Sequence, residues 1–247
     1  MEKLEKNCRA LFDVAFPGED AAWCDALFAY AMPDCLRVIA EGEKPLAMLF
    51  ALPYDIQLPD GSKQAARYLY AVATDPAYRG QGLATKLLRA VAAEGIPFFL
   101  RPMSPSLFDF YRKAGLSPVS PMREIAGEST AAAIALTHLS VAEYLVRRNA
   151  FLRPPYAVPT AEFLSLGFRF GGAVAGDGFV TYYEKNGGEV RFKEWLGSPD
   201  FAPAVAAALG ATHYKLRTPC VEKEADSTYF VMAVGCPADL AFLIALD

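Results

Sequence analysis

The sequence predicts an α/β protein with a mixed sheet (α+β), and three observations support this fold class. Two helical segments near the start are followed by strand-like segments that are joined by hairpin turns. A buried apolar strand, residues 68–73, then runs through a glycine-bearing turn into a third helix. After that helix, residues 98–100 fit a strand parallel to the central one, because a right-handed crossover returns the chain to the same sheet.

Composition places the chain among folded globular proteins. Hydrophobic residues make up 53% and charged residues 21%, so we expect a packed core without a disordered tail. The net charge of −4 and the lack of a lysine- or arginine-rich run give no electrostatic footprint for nucleic acid. No uncharged apolar run reaches the length of a membrane-spanning helix. We therefore expect no nucleic-acid partner and no membrane partner.

Cysteine usage predicts reduced thiols and a cytoplasmic location. The five cysteines are odd in number and widely spaced, they form no Cys-x-x-Cys pair, and the chain starts with charged residues. The two histidines stand alone in the sequence, so neither brings a set of metal ligands, and we expect no metal site. The residues concerned are Cys8, Cys24, Cys35, Cys220, Cys236, His138 and His213.

The elements before the central strand follow a simple order. Apolar residues recur at helical spacing over residues 4–15, and residues 21–30 form a second predicted helix that Pro33 ends. Residues 35–40 and 45–54 predict two strands joined by a tight turn. Beyond the central strand, apolar residues at helical spacing predict an amphipathic helix that closes near Gly95.

The turn between the central strand and this helix suits phosphate binding. The first N–H groups of a helix are unpaired, and the helix dipole adds partial positive charge there. Gly80 and Gly82 allow a close backbone approach, and Ala84 is small enough to continue it. Arg79 can add charge and Thr85 a hydroxyl group.

Other phosphate-binding turns fit less well. A dinucleotide-binding turn needs a third glycine where this chain has Thr85, and a Walker loop is absent. For an isolated pair of glycines, a plain strand-to-helix turn would be the favoured interpretation.

The segment Arg79-x-x-Gly82-x-Ala84 resembles the Arg/Gln-x-x-Gly-x-Gly/Ala signature of the GNAT superfamily of acyl-CoA N-acyltransferases. The Asp75-Pro76-x-Tyr78 approach and the later Phe110-Tyr111-Arg-Lys-Ala-Gly115-Leu116 segment fall in the superfamily's order. The resemblance implies the GNAT fold and acetyl-CoA (coenzyme A) as co-substrate. It also implies transfer of an acetyl group to a primary amine on a small molecule or peptide, while a homo-oligomer is left open.

The resemblance assigns roles to particular positions. The main chain of the turn would bind the pyrophosphate, and a bulge in the central strand would present N–H groups to the pantetheine arm and the oxyanion. Tyr111 matches the position of the general acid, while Ser104, where the superfamily often has Asn, would cap the next helix or contact the cofactor. The predicted cofactor-binding residues are Val72, Ala73, Thr74, Arg79, Gly80, Gln81, Gly82, Leu83, Ala84, Thr85 and Ser104.

No general base is evident in the sequence. Residues 68–72 contain no carboxylate. Asp55, Glu194 and the terminal carboxylate of Asp247 could each reach a cleft between the two halves, but ordinary surface or junction charges are the favoured interpretation. An alternative function is therefore an acyl-CoA-binding or ligand-sensing module that performs no transfer. Release of free thiol from acetyl-CoA in the presence of amines would separate the two functions.

The chain divides into two predicted domains, residues 1–126 and 127–247. In the second domain Ser140 opens a helix through a capping box, and residues 170–174, 179–184 and 189–195 predict a strand meander. A helix over 201–209 and a strand over 214–217 follow. Pro199 removes an N–H donor and Asp200 would repel phosphate. This half is either a smaller, degenerate GNAT-like domain, loosely similar to Eis-type acetyltransferases, or an unrelated α+β domain.

Overall fold

The computed structural model describes residues 2–220 and 228–242. The helices are α1 Glu2–Ala15, α2 Ala21–Ala31, α3 Leu83–Ala93, α4 Pro105–Lys113, α5 Val141–Phe151, α6 Ala161–Gly167 and α7 Ala202–Ala208. The strands are β1 Leu36–Glu41, β2 Lys44–Gln57, β3 Lys63–Thr74, β4 Phe98–Leu100, β5 Ser117–Glu128, β6 Thr137–Leu139, β7 Tyr156–Pro159, β8 Gly171–Gly176, β9 Phe179–Asn186, β10 Glu189–Gly197, β11 His213–Pro219 and β12 Thr228–Val234.

The chain forms two compact units. The first contains the residues up to 55, residues 64–118 and residues 232–236, and the second contains residues 56–63, 119–231 and those from 237 onward. The boundary predicted between residues 126 and 127 lies inside β5, which continues to Glu128. That the two halves fold as separate domains remains a prediction.

Two helices open the first unit because their sequences place apolar residues on one face. Cys8, Leu11 and Phe12 of α1 are buried, while its other positions are mostly exposed or half-buried. The α2 helix begins where the side chain of Asp20 accepts a hydrogen bond of 2.9 Å from the N–H of Trp23. Both predicted helices are confirmed.

The sheet of the first unit is mixed. Its order is β1, β2, β3, β4 and then residues 232–234 of β12. The β1 and β2 strands pair antiparallel, as the short connecting turn predicts, whereas β3 and β4 pair parallel across the α3 crossover. Residues 232–234 pair antiparallel with β4. The predicted α/β fold with a mixed sheet is confirmed.

The central strand β3 is irregular near its end. Its parallel pairing with β4 covers only Arg67 opposite Phe98 and Tyr68 opposite Phe99, although β3 continues to Thr74. Ala71 has φ +55°, which is unusual for a residue that carries a Cβ. This irregularity directly precedes residues 72–74, where a bulge is expected.

The second unit has its own hydrophobic core, which packs against a run of six neighbouring strands. The strand order is β5, β11, β10, β9, β8 and β6, and β10 pairs parallel with β11 across α7. Trp195 is fully buried, its ring stacks on Phe179 with 5.1 Å between the centroids, and its indole N–H donates to the carbonyl of Ser198. The predicted capping box is present, since the Ser140 hydroxyl accepts from the N–H of Glu143 and the Glu143 carboxylate accepts from the N–H of Ser140.

Both units contain the same run of elements. Two helices, separated in the second unit by the short strand β7, precede three consecutive strands, a 3₁₀ turn, a helix and a strand parallel to the third. The turns differ in one respect. Residues 79–82 separate the 3₁₀ turn Pro76–Tyr78 from α3, whereas α7 begins at Ala202, directly after the 3₁₀ turn Pro199–Phe201.

Several elements are absent from the sequence prediction. The short strands β6 and β7, the seven-residue helix α6 and the strand β12 were not expected. Across the described ranges, no helix is long and apolar enough to cross a membrane.

Candidate active site

The predicted phosphate-binding turn is a pair of left-handed glycines at the start of α3. Gly80 has φ +77° and Gly82, the N-cap residue of α3, has φ +74°. Such values favour glycine, because a Cβ would clash with the backbone. A Cβ built on either glycine would meet no atom within 4 Å, so the space above the turn is open. No side chain caps this helix end in the part of the chain that the structure describes.

The helix that follows is fixed by its apolar face. Leu83, Leu87, Leu88 and Val91 of α3 are buried in the core of the first unit, while Lys86 is exposed. Because the helix is anchored along its length, its N-terminal N–H groups have a fixed direction. They form a ready site for an anion.

The approach to the turn is held by side-chain contacts. The Asp75 carboxylate accepts from the N–H of Ala77 at 2.9 Å, which starts the 3₁₀ turn. Lys44 lies 3.3 Å from the Tyr78 hydroxyl, and this hydrogen bond raises the pKa of Lys44. Arg79 donates from Nε to the carbonyl of Thr74 over 3.4 Å. The residue before the glycines is therefore tied back to the end of β3.

A cavity of about 540 Å³ opens beside this turn within the first unit. Its volume falls in the range typical of ligand pockets. The end of β3, the turn and the first residues of α3 form one part of its wall, and α4 and the end of α1 form the other. It is lined by Ala15, Phe16, Val72, Ala73, Thr74, Tyr78, Arg79, Gly80, Gly82, Leu83, Ala84, Thr85, Leu107, Phe110 and Tyr111.

Tyr111 lines this cavity from a buried position on α4. The residue is 6% exposed, and its ring centroid lies 5.1 Å from that of Phe110. Burial raises the pKa of Tyr111 to about 12, so the hydroxyl is protonated at neutral pH. Within the described ranges, no residue makes a hydrogen bond with this hydroxyl. It is therefore available to donate to a bound molecule.

The structure brings most of the predicted residues together, but not all of them. Every predicted cofactor residue except Gln81 and Ser104 lines the cavity, as does Tyr111. Ser104 occupies the N-cap position of α4, yet its hydroxyl interacts with Ser106 at 3.0 Å and does not cap the helix. Of the two roles expected for Ser104, the side-chain cap is absent because the hydroxyl interacts with Ser106 instead, and the contact with the cofactor stays a prediction.

The sequence prediction missed part of the cavity wall. Ala15 and Phe16 come from the end of α1, and Leu107 and Phe110 from α4. Phe110 precedes Tyr111 in the segment that resembles the superfamily, but the resemblance gave it no role, and the other three belong to no local motif for binding. Aromatic and aliphatic types such as these would equally suit a core. Only the fold brings these segments beside the turn.

The residues that form this site match a known family. Residues 2–119 match the model of the acetyltransferase (GNAT) domain. These residues form a GNAT domain. The predicted family resemblance is thus confirmed, and acyl transfer is the class of reaction that the match supports. Among curated proteins, no sequence match is found.

Solved structures share the fold of this GNAT domain and of the second half. A GCN5-related N-acetyltransferase from Anabaena variabilis has 16% identity and a TM-score of 0.64, covering 92% of this chain and 69% of its own. Eis1 from Mycobacterium abscessus has 13% identity and a TM-score of 0.64, covering 94% and 71%. N-myristoyltransferase from Saccharomyces cerevisiae, with bound myristoyl-CoA, has 10% identity and a TM-score of 0.54, covering 96% and 81%. At these identities the likeness concerns the fold.

The candidate carboxylates lie outside the cavity wall. Asp55 is half-buried on β2 and does not line the cavity. Asp247 lies outside the described residues. The expectation that Glu194 is a surface or junction charge is wrong, because its side chain is fully buried in the second unit.

Glu194 belongs to a buried ion pair between β10 and α5. Its carboxylate accepts from Arg148 Nε at 2.6 Å, from Arg148 Nη2 at 3.0 Å and from the Tyr144 hydroxyl at 2.5 Å. Arg148 and Tyr144 are themselves almost fully buried. Burial is the main reason that the pKa of Tyr144 lies well above its usual value, and the negative charge of Glu194 raises it further. A carboxylate that is bound this way is not free to accept a proton from a substrate.

The last feature to consider is a cluster of side chains that could bind a metal. Among the residues that the structure describes, no group of histidine, cysteine, aspartate and glutamate side chains could hold a metal ion.

Proposed function

We propose that the protein is an N-acetyltransferase that transfers an acetyl group from acetyl-CoA to a primary amine of a small molecule or peptide. The observation that carries this proposal is the start of α3. It has no side-chain cap, begins with two left-handed glycines and opens into the cavity that Tyr111 also lines. A diphosphate fits this turn because nothing lies within 4 Å of the Cβ position of Gly80 or Gly82.

The residues of the turn would hold the diphosphate through their main-chain N–H groups. Arg79 adds a positive charge, and Thr85 on the first turn of α3 adds a hydroxyl donor. Gln81 and Ser104 do not line the cavity. We propose that they contact the cofactor through their main-chain groups, or through their side chains after a small rearrangement.

The end of β3 would contact the remainder of the cofactor. Residues 72–74 line the cavity beyond the point where β3 and β4 stop pairing. Their main-chain groups are suited to bind the pantetheine amides and to stabilise negative charge on the thioester oxygen. Acetyl-CoA supplies the activated acetyl group for the reaction.

Tyr111 would act as the general acid. The amine nitrogen forms a bond to the acetyl carbon, the bond from that carbon to sulfur breaks, and the Tyr111 hydroxyl gives its proton to the leaving sulfur. An ordinary thiol has a pKa of about 8.5, below that of Tyr111. The same poorly hydrated cavity raises the basicity of the sulfur, which makes the transfer less uphill.

The amine must also lose a proton, and we assign no residue to that step. Water or a group outside the cavity wall would take it. Tyr111 recovers its own proton from solvent after each turnover, so the protons of the overall reaction balance.

One experiment tests the activity directly. The purified protein is incubated with acetyl-CoA and a panel of primary amines, and release of free thiol is followed. We expect amine-dependent release. Binding of acetyl-CoA by calorimetry without any thiol release would instead favour the alternative function, an acyl-CoA-binding or ligand-sensing module.

We further propose that the protein works in a reducing compartment such as the cytoplasm. All five cysteines are free thiols, and Cys8 and Cys24 are buried. The partners in this proposal are acetyl-CoA and the acceptor amine alone.

A further inference from the structure

The cavity of the GNAT domain has two chemically different walls. Its polar side chains come from the end of β3, the turn, the start of α3 and Tyr111. The side chains from the end of α1, and those from α4 other than Tyr111, are apolar. They are Ala15, Phe16, Leu107 and Phe110. Phosphate groups suit the first wall, whereas the second suits the hydrocarbon part of an acyl-CoA.

Phe16 is the largest of the apolar groups on the α1 side, and a chain of aromatic contacts supports it. Its ring centroid lies 4.9 Å from that of Phe12, which lies 5.5 Å edge-on from Phe28. Phe28 in turn lies 5.1 Å edge-on from Phe50, a fully buried residue of β2. The N–H of Phe16 also donates to the carbonyl of Phe12 at 2.9 Å.

This support makes the position of Phe16 difficult to change. Phe12 and Phe50 are fully buried, and side chains in a packed interior have little room to move. Phe16 is half-buried, and its contact with Phe12 limits the room for its ring on that side. The side chain therefore forms an apolar boundary of the cavity.

Resting on the proposed function, we propose that Phe16 sets the length of the acyl chain that the cavity accepts. Leu107 and Phe110 complete the apolar surface that contacts this chain. With Phe16 in place, acyl groups of a few carbons are preferred. A smaller side chain at this position opens room for further methylene groups.

The test measures affinities for acetyl-CoA, butyryl-CoA and hexanoyl-CoA by calorimetry, so it needs no acceptor amine. Burial of each further methylene group strengthens binding by about fourfold. Phe16→Ala is therefore expected to raise the ratio of hexanoyl-CoA to acetyl-CoA affinity at least about tenfold. Phe16→Trp fills more of the cavity and is expected to lower the same ratio while acetyl-CoA still binds.

Phe108→Ala is the matched control. Phe108 lies on α4 and packs against the core of the first unit, but it does not line the cavity. Phe108→Ala removes an aromatic ring just as Phe16→Ala does, but it should leave the ratio of hexanoyl-CoA to acetyl-CoA affinity unchanged. Phe16→Trp keeps the test valid if Phe16→Ala does not fold.

The outcomes separate this inference from the proposed function. If the parent protein binds acetyl-CoA and neither Phe16 variant changes the ratio more than Phe108→Ala does, the inference is overturned and the proposed function stands. If the parent protein binds none of the three compounds, both are overturned.

Discussion

Gly82 has φ +74°, a conformation that costs a residue with a Cβ about 1–2 kcal/mol. Its importance for the proposed site goes beyond this backbone preference, because it lies where the main chain must approach a phosphate closely. A side chain there would occupy the open space above the turn. A negatively charged side chain would also repel the ligand.

We predict that Gly82→Glu abolishes acetyl-CoA binding, measured by calorimetry on the folded variant. Gly95→Glu is the control, because Gly95 has φ +73°, is exposed and has no atom within 4 Å of its Cβ position. It lies just beyond the other end of α3, so the backbone strain is the same and only the location differs. Equal affinities in the two variants would contradict the assignment of the turn.

Tyr111→Phe is predicted to slow turnover by about 10²–10⁴-fold, the usual effect of losing a general acid. Acetyl-CoA affinity should be retained, because the ring stays in place. Tyr54→Phe removes the hydroxyl of another buried tyrosine of the first unit and serves as the control. A Tyr111→Phe protein with the parental rate would show that this hydroxyl has no role in proton transfer.

The raised pKa of Tyr111 also predicts how stability depends on pH. The unfolded chain releases the phenolic proton near pH 10, whereas the folded protein keeps it until about pH 12. Above pH 10 the unfolded state binds fewer protons, so the free energy of unfolding falls as the pH rises. Between pH 7 and pH 11 this residue alone removes about 1 kcal/mol.

Tyr111→Phe should therefore lose about 1 kcal/mol less stability than the parent protein over that pH interval. Denaturant unfolding at both pH values measures the difference. Burial and the charge of Glu5 raise the pKa of Cys8 to about 11. Cys8 therefore also lowers the free energy of unfolding at high pH, but it does so equally in the parent and in the variant. Identical losses in parent and variant would mean that Tyr111 is hydrated in the folded state.

At the scale of elements, α5 is joined to β10 by the buried pair of Arg148 and Glu194. Both charges are out of water, and their mutual attraction offsets part of the cost of burying them. We predict that Glu194→Gln lowers the free energy of unfolding by about 3–5 kcal/mol, because it removes the negative charge that pairs with the buried Arg148. Urea unfolding measures this cost.

Glu189→Gln on the same strand is the control. Glu189 pairs with Arg191 at 2.7 Å and with Lys215 at 2.9 Å, but these groups are partly exposed to solvent. Its loss should cost less than about 1 kcal/mol. The double change of Arg148→Met with Glu194→Leu should cost less than Glu194→Gln alone, and the opposite result would contradict the electrostatic explanation.

The contrast between α3 and β12 shows which elements a sequence can predict. The α3 helix and its turn depend on neighbouring residues, so glycine positions and helical spacing were sufficient to locate them. By contrast, Met232 of β12 pairs with Leu100 on β4, which lies far away in the sequence. Such a pairing leaves no periodic pattern, and the short helix α6 offers too few residues for one.

The same distinction applies to the candidate site. The residues of the turn were predicted because one segment contains them. Phe16 was not, since nothing near it in the sequence suggests a ligand. Glu194 offered no clear signal, because four of the nine residues of β10 are charged. Its partner Arg148 lies on α5, and only the fold brings the two together.

For the whole molecule, the repeated order of elements raises the question of how many cofactors bind. The second unit has the strand, the 3₁₀ turn and the helix, but α7 begins directly after Phe201. The residues that would present N–H groups to phosphate are therefore missing from its connection. We predict that one acetyl-CoA binds per chain and that Gly82→Glu reduces this number to zero, as calorimetric titration would measure. A second site that survives in Gly82→Glu would contradict the prediction.

The stacking of Trp195 on Phe179 has a practical consequence. The chain contains two tryptophans, and one lies in each unit: Trp23 is half-buried on α2, and Trp195 is completely shielded from water. In a Trp23→Phe protein, fluorescence emission comes from Trp195 alone and its red shift reports exposure of the second core. In a Trp195→Phe protein, the emission reports the first unit. Comparing the two emission curves with far-ultraviolet circular dichroism during denaturation would show whether both halves lose their structure in one cooperative transition or in two.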